Sequence, residues 1–500
     1  MIDFHGLTLF DIYEKNSVNR GRLPAINWNG KKFTYADLFN RTTRLARGLK
    51  DLNMVPGSRI AILSQNHPAF FDLFGAASAL NLTLVLINKR LSPDEVKYII
   101  EDTTPALIIA DKNQAEQAKE LKNDFACMQN YFIIESDDDN CGLENLYHSQ
   151  GIERTAFNKS SDPYIIIHTA AVQGKPRGAV LGQENVILSS QQIIHAFNLD
   201  ESQTYLNILP LFHIMGLSFA LGILQAGGKN VILDQFDAEK SVEVIQNQNV
   251  NILGSFPPIL TGLIDAARKN NFDLSSLRIV AGLDRPEVID EWEDLTNSKF
   301  WTMYGQTETS GVVTLSESFA KPGSAGEASR LANIKIIDKQ DNILPPNEIG
   351  EIVVRGPLVF QGYWKSDDLN KRTFRKGWHH TGDLGMFDSD GFLFFKGRKA
   401  EKELIKSGGE NVFPAEVENI IMEHGAVKEV CVFGVPDPKF GEGIKAVCVL
   451  NENQTLIKQD LIEFVGTKIA GYKKPRYVEF VVALAKAENG SIDREKVKNG

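Results

Sequence analysis

The residues best suited to chemistry fall in three clusters. Tyr304-Gly305-Gln306-Thr307-Glu308 combines an aromatic face that can stack on a base, a glycine that lets a ligand approach the backbone, and a hydroxyl that can bond a phosphate oxygen. Its last residue, Glu308, is a carboxylate able to hold Mg2+, an ion that prefers hard oxygen ligands. Thr381-Gly382-Asp383-Leu384 presents a short carboxylate suited to a two-point grip on vicinal ribose hydroxyls. Arg398, fifteen residues on, can reach the same ribose or a phosphate. Taken singly, each has a plainer reading: a turn with a buried tyrosine, an Asx turn, a surface arginine. In combination with the glycine-rich run Ser407-Gly408-Gly409-Glu410-Asn411-Val412-Phe413-Pro414-Ala415-Glu416-Val417-Glu418, the plainer readings lose ground.

The elements that must carry these clusters alternate in a β-α-β rhythm, which argues for a layered α/β architecture. Leu38, Leu45, Leu49 and Leu52 predict a helix over 35–52, which Pro56-Gly57 turns into a strand over 59–63. A helix over 70–80 and a strand over 83–87 follow, then a helix over 91–103 opened by Ser92-Pro93-Asp94-Glu95, and a strand over 106–110. Residues 113–160 are polar and weakly patterned and read as surface connection with minor elements. An apolar strand over 164–168 runs directly into Thr169-Ala170-Ala171-Val172-Gln173-Gly174-Lys175-Pro176-Arg177-Gly178. Past Gly397-Arg398 the chain grows richer in charge and reads as a separate α+β unit, with helices over 415–422 and 456–469 and strands over 427–435, 446–450 and 477–482.

Five hundred residues exceed what one core supports, since cores stop growing at roughly 250 to 300 residues. A formal net charge of -10 argues against nucleic acid as a partner, although a local loop can bind phosphate whatever the global charge. Cys127, Cys141, Cys431 and Cys448 show no metal-ligand spacing, so no zinc site is expected and the chain reads as reduced and intracellular. Asp3 and Glu14 interrupt the first nineteen residues, which resemble neither a signal nor a transit peptide. Apolar runs such as 82–87 and 107–110 fall far short of the ~20 residues a membrane span needs. A cytoplasmic location with no integral membrane segment is expected.

In order and spacing the three clusters resemble the signatures of the adenylate-forming (AMP-binding) superfamily, and among them the AMP-forming acyl-CoA synthetases. Leu209-Pro210-Leu211-Phe212-His213, Gly254-Ser255-Phe256-Pro257-Pro258, Phe33-Thr34-Tyr35 and residues 66–71 add weaker matches, so the resemblance covers nearly the whole chain. It implies a large N-terminal domain over 1–397, of αβαβα layers with a small barrel-like part, and a small mobile C-terminal α+β lid over 398–500. It implies ATP/AMP, Mg2+ and coenzyme A, with a small-molecule carboxylic acid activated as an acyl-adenylate and then passed to the CoA thiol; a homodimer is compatible with it.

Carried over position by position, the resemblance gives Thr169 and Glu308 to catalysis and to the metal. It gives Gly174, Arg177, Gly282, Leu283, Asp284, Tyr304, Gly305, Thr307, Asp383 and Arg398 to the nucleotide, with Ala281 beside the adenine. His213 and Ser255 fall to the acid, and Gly408 and Gly409 to the pantetheine arm. Arg398 borders the hinge about which the lid turns. Phe212, Ile214, Met215 and Phe256 point to an apolar acid without fixing its length or ring.

Two departures from the family pattern fall on triphosphate handling. In the phosphate loop Ala170, Ala171, Val172 and Gln173 replace a small polar run, and Arg177 stands where lysine is usual; Thr169, Gly174 and Gly178 are kept, and Lys175 with Arg177 preserve positive charge. Near the C-terminus Ser491 follows Gly490 where relatives carry the lysine that bridges carboxylate and α-phosphate. Lys486 is the nearest candidate to replace it, ahead of Lys496 and Lys498. A bias toward the thioester half-reaction or its reverse is one expectation. The rivals are an adenylating enzyme that uses a carrier-protein acceptor or an oxidation, and a non-catalytic nucleotide or acyl-CoA binding protein.

Overall fold

The computed structural model describes residues 6–152, 162–169, 176–398, 404–487 and 492–499. Gly174, Lys175 and Ser491 lie outside them.

Two large sheets build the N-terminal part. One runs Gly362–Tyr363, Arg177–Gly182, Pro163–Thr169, Thr83–Ile87, Arg59–Leu63, Leu107–Asp111, Asn130–Ile134, and the five strands from Pro163–Thr169 onward are parallel. The other has nine strands, with a parallel centre of Lys299–Gln306, Ile279–Gly282, Ile252–Ser255, Thr204–Asn207, Lys229–Ile232 and Pro24–Trp28. Parallel strands buried on both faces are written as continuous apolar runs, and Thr83–Ile87 has every residue buried. Helix Ala69–Leu80, buried along its whole length, packs in one core with Ile60, Leu84 and Ile165 of the first sheet and Ile26 and Ile232 of the second. Helices Ala238–Gln248, Ile259–Asn270 and Pro286–Thr296 contribute to the core on the outer face of the second sheet, and Pro93–Thr103 and Ala115–Asp124 to that of the first. The result is the αβαβα stack that was expected.

Ser92 opens Pro93–Thr103 as predicted, its side chain accepting from the Glu95 N–H while the Glu95 carboxylate takes the Ser92 N–H. Of the polar stretch read over 113–160, the described residues to 152 hold more order than their polarity suggests, namely helix Ala115–Asp124 and the parallel edge strand Asn130–Ile134. That helix buries only Ala118 and Leu121, too little to leave a periodic pattern.

The small part of the N-terminal domain is a five-stranded antiparallel sheet, Asn333–Ile337, Gly350–Arg355, Trp378–Phe387, Phe374–Arg375 and Leu393–Arg398, with its own core of Ile336, Ile352, Val354 and Leu393. The C-terminal unit is a second five-stranded sheet centred on Val427–Asp437 and Gly441–Leu450, covered by helices Pro414–Met422 and Lys458–Gly466. The large α/β part and the small C-terminal part are therefore separate packing units. No helix among the described residues is long and apolar enough to cross a membrane.

Candidate active site

A cleft of about 410 Å3 opens between the two parts and is lined from both sides. Thr169, Arg177, His213, Leu283, Gly305, Thr307, Glu308, Asp383, Arg398, Gly408 and Gly409 all reach it.

One end of the cleft is built by strand register. Trp378–Phe387 and Leu393–Arg398 pair antiparallel with Asp383 opposite Arg398, which brings residues fifteen apart in sequence face to face. Arg398 Nε donates to Asp383 Oδ1 at 2.9 Å, while the Tyr304 hydroxyl and Gln306 Nε2 donate to Oδ2 at 2.8 and 2.7 Å. The carboxylate is 1% exposed, and one cation with two neutral donors offsets its desolvation. Burial first, and then the neighbouring Asp383 charge, hold the Tyr304 hydroxyl well above its ordinary pKa, so it remains a donor. Its ring packs with Val313, Ile336 and Ile352, and it is not among the residues lining the cleft. Tyr304 therefore acts here as the post that aims Asp383.

Gly305 follows at a bulge where a Cβ would lie 1.8 Å from the Gly311 carbonyl oxygen, so only glycine fits. The turn Thr307–Thr309 then presents Glu308, whose Oε1 accepts from Thr169 Oγ1 at 3.0 Å and from the Tyr363 hydroxyl at 2.9 Å. Both bonds fall on Oε1, which leaves Oε2 without a protein partner among the described residues. A hydroxyl beside a half-engaged carboxylate is the donor set Mg2+ accepts when phosphates and water complete its shell. Thr169 ends its strand in register with Arg177 at the start of the next, and the buried Arg177 Nε has no partner among the described residues.

Another part of the lining is apolar, with Phe212, Met215, Phe236, Phe256 and Ile259. Here the small part enters the cleft. Glu410 Oε1 accepts from Arg90 Nη1 at 2.7 Å and meets His213 Nε2 at 3.2 Å, while Asn88 Nδ2 donates to Oε2 at 3.0 Å. Burial alone would raise the Glu410 pKa, but His213, Arg90 and Asn88 outweigh it and hold the carboxyl at about 2. The preceding Gly408 and Gly409 have φ of +58° and +81°; a Cβ on Gly408 would come within 2.8 Å of the Phe440 ring.

Other expected site residues lie behind the wall. A Cβ on Gly282 would sit 1.7 Å from the Ser255 carbonyl oxygen, so these adjacent strands support the floor by close backbone contact. Ser255 itself is fully buried, its Oγ without a partner among the described residues. Asp284 accepts from the Arg285 N–H, and burial raises its pKa. Gly282, Ser255, Asp284 and Tyr304 are thus behind the lining. Lys486 is not among the residues lining the cleft: its Nζ is 2.8 Å from Glu429 Oε1, and its side chain is 39% exposed.

Several residues here had no role in the sequence reading. Gln306 lay inside a recognised motif, yet nothing local showed that it would reach Asp383. Asn88 and Arg90 contact Glu410 across about three hundred residues, a separation no short-range pattern spans. Lys406 lines the cleft as an exposed residue, and desolvation followed by the nearby Arg398 lowers its pKa to about 8 against the pull of Asp383 and Glu442.

Residues 13–364 match the AMP-binding enzyme family and residues 416–491 the AMP-binding enzyme C-terminal domain. A feruloyl-CoA synthase from Amycolatopsis is 31% identical over 96% of this chain and 97% of its own. A long-chain-fatty-acid–CoA ligase from Mycobacterium tuberculosis is 29% identical over 92% of each. Among solved structures, a double mutant of Bacillus subtilis o-succinylbenzoate CoA synthetase, bound with a product analogue, is 26% identical and covers 99% of this chain and 98% of its own with a TM-score of 0.87. The same enzyme with its acyl-adenylate intermediate, at the same identity and coverage, gives 0.72. Relatives named as CoA ligases along the whole length give no support to a carrier-protein acceptor or to a non-catalytic sensor. With both domain families matched in order and the cleft formed where they meet, the chain belongs to the AMP-binding enzyme family as an AMP-forming acyl-CoA synthetase.

Proposed function

We propose that the cleft activates an apolar monocarboxylic acid, aliphatic or aromatic, and that its residues divide the work by position. Asp383 and Arg398 hold the ribose and α-phosphate, and Tyr304 and Gln306 keep Asp383 aimed. Leu283, Gly282 and Asp284 form and support the adenine wall, with Gly305 and Thr307 against the nucleotide. Arg177, with Gly174 beyond the described residues, takes the outer phosphates. Mg2+ would be held by Glu308 with the Thr169 hydroxyl beside it and supplies charge neutralisation at the phosphates. The acid lies in the apolar end with its carboxylate near His213, and Ser255 supports that wall from behind.

The carboxylate attacks the α-phosphorus, pyrophosphate leaves, and the mixed anhydride remains bound. The CoA thiolate, entering past Gly408 and Gly409, then attacks the acyl carbon, and AMP leaves. Positioning and charge neutralisation carry most of both steps. The observation that carries this reading is that Glu410 is seated against His213 and Arg90. That contact brings the glycine pair, the acid end and the Asp383–Arg398 pair into one cleft. A panel of hexanoic, dodecanoic, ferulic and indole-3-acetic acids, scored by CoA-thioester formation with ATP, tests it. Activity confined to a dicarboxylic or strongly polar acid would overturn the apolar assignment.

A second reading concerns direction. Ser491 removes the cation that offsets repulsion between carboxylate and triphosphate, and the chain is arranged more like the product-analogue complex of its relative than like the adenylate complex. The lost cation favours the thioester half-reaction or its reverse. Lys486 is the candidate to restore the missing charge: its partner Glu429 is 31% exposed, and such a surface pair is worth at most about 1 kcal/mol. Assays in both directions decide this; a fast forward rate with a slow reverse rate removes the bias.

A further inference from the structure

The two parts of the chain meet through a second ionic contact that the reaction itself does not require. Lys473 Nζ lies 2.6 Å from Glu416 Oε1 and also bonds Glu95 Oε1, and its side chain is only 4% exposed. Lys473 and Glu416 belong to the small part, whereas Glu95 opens helix Pro93–Thr103 of the large part. The other oxygen of Glu95 accepts the Ala470 N–H at 3.1 Å, so two bonds join Glu95 to the small part. A few residues away, Asn88 and Arg90 of the same segment hold Glu410. Residues 88–95 thus form one docking edge, gripping the lid at the Glu410 loop and at the end that bears Lys473.

The contact has the construction of a catch. A buried cation that loses its counter-charge is strongly destabilised, which would weld an ordinary interface shut. Here each partner keeps a local one. Lys473 retains Glu416 within its own part, and Glu95 retains the Ser92 N–H at 2.7 Å within its own helix cap. Undocking therefore strands no charge. Helix Pro414–Met422, which carries Glu416, also follows directly on the strand Glu410–Val412, so fixing Lys473 against Glu95 fixes the depth of the Gly408–Glu410 loop in the cleft. The two carboxylates outweigh burial and keep the Lys473 pKa above its ordinary value, so it is charged throughout the working pH range.

We propose that Lys473 and Glu95 are a positioning pair for the transfer of the acyl group to CoA, engaging when the Gly408–Glu410 loop enters the cleft and having no part in adenylate formation. The proposal rests on the two-step reading above.

The test separates the two steps. Glu95→Gln keeps the helix cap and the shape while removing the charge that Lys473 meets. With the most active acid of the panel, pyrophosphate release without CoA is measured beside single-turnover transfer from preformed acyl-adenylate to CoA. Glu95→Gln and Lys473→Met should slow transfer about ten- to a hundredfold, as expected when a charged hydrogen bond is lost, and leave pyrophosphate release within about twofold. Lys473→Arg should keep most of the transfer rate. Equal losses in both steps would make the pair merely structural, and unchanged transfer would remove it from the reaction; either result overturns the proposal. If the unmodified enzyme transfers nothing to CoA from any acid, the proposed function fails; if it transfers normally and Glu95→Gln matches it, only the catch fails.

Discussion

Asp383→Asn is the substitution whose consequences the geometry specifies most fully. Three donors converge on this carboxylate: Arg398 Nε on Oδ1, and Tyr304 and Gln306 on Oδ2. An asparagine offers one acceptor oxygen and one amide donor. With its oxygen toward Tyr304 and Gln306, the amide meets the Arg398 N–H donor to donor and leaves the guanidinium without a counter-charge. Breaking a buried ion pair from one side costs about 3–5 kcal/mol, and Arg398, 16% exposed, belongs near the lower figure.

For the nucleotide, each charged bond to a ribose hydroxyl contributes about 1.5–3 kcal/mol, so kcat/KM for ATP should fall roughly ten- to a hundredfold per bond lost. Among the described residues Oδ1 meets one donor and Oδ2 two, so with about four acceptor positions on a carboxylate one, on Oδ1, remains for the ribose. A grip with both oxygens requires Gln306 or Tyr304 to yield. The assay is ATP-dependent pyrophosphate release with ATP, 2′-deoxyATP and 3′-deoxyATP. The native enzyme should lose about tenfold or more with at least one deoxy analogue, and Asp383→Asn, already reduced with ATP, should lose little further with that analogue. Additive losses would show that Asp383 does not touch the ribose and would refute the assignment.

Lys406→Met should slow acyl transfer and abolish a fall in rate that the native enzyme shows as pH rises through about 8, where Lys406 gives up its proton. Glu308→Gln keeps an acceptor for Thr169 and Tyr363 but removes charge at the phosphates, so adenylation should fall about a hundredfold or more and require higher Mg2+; an unchanged Mg2+ dependence counts against the metal role. Lys486→Ala should slow pyrophosphate release and spare transfer from preformed adenylate, and equal rates in the first step would dismiss Lys486 as the stand-in for the lysine absent at Ser491.

Much of the fold was legible because buried parallel strands advertise themselves: the runs over 59–63 and 83–87 end where the strands end, at Arg59–Leu63 and Thr83–Ile87. The Ser92 start signal held because a capping box is a local bargain among four residues. The last long helix, read over 456–469, spans only Lys458–Gly466, and polar segments such as Ala115–Asp124 went unread because two buried side chains leave no rhythm. The site was legible only through motif likeness. Spacing alone could not place Asp383 opposite Arg398, since register belongs to two strands and the turn between them. Glu95 with Lys473, and Arg90 with Glu410, are joined by the docking of two folded parts, and no property of either segment alone announces its partner.

The central claim, that an acid is first bonded to the α-phosphate of ATP and then handed to CoA, is tested most directly by oxygen tracing. The most active acid of the panel, labelled with oxygen-18 in its carboxyl group, is converted with ATP and CoA, and the products are weighed by mass spectrometry. One labelled oxygen should appear in AMP and none in pyrophosphate; label in any phosphate other than that of AMP, or a thioester formed with unlabelled AMP, would contradict the account.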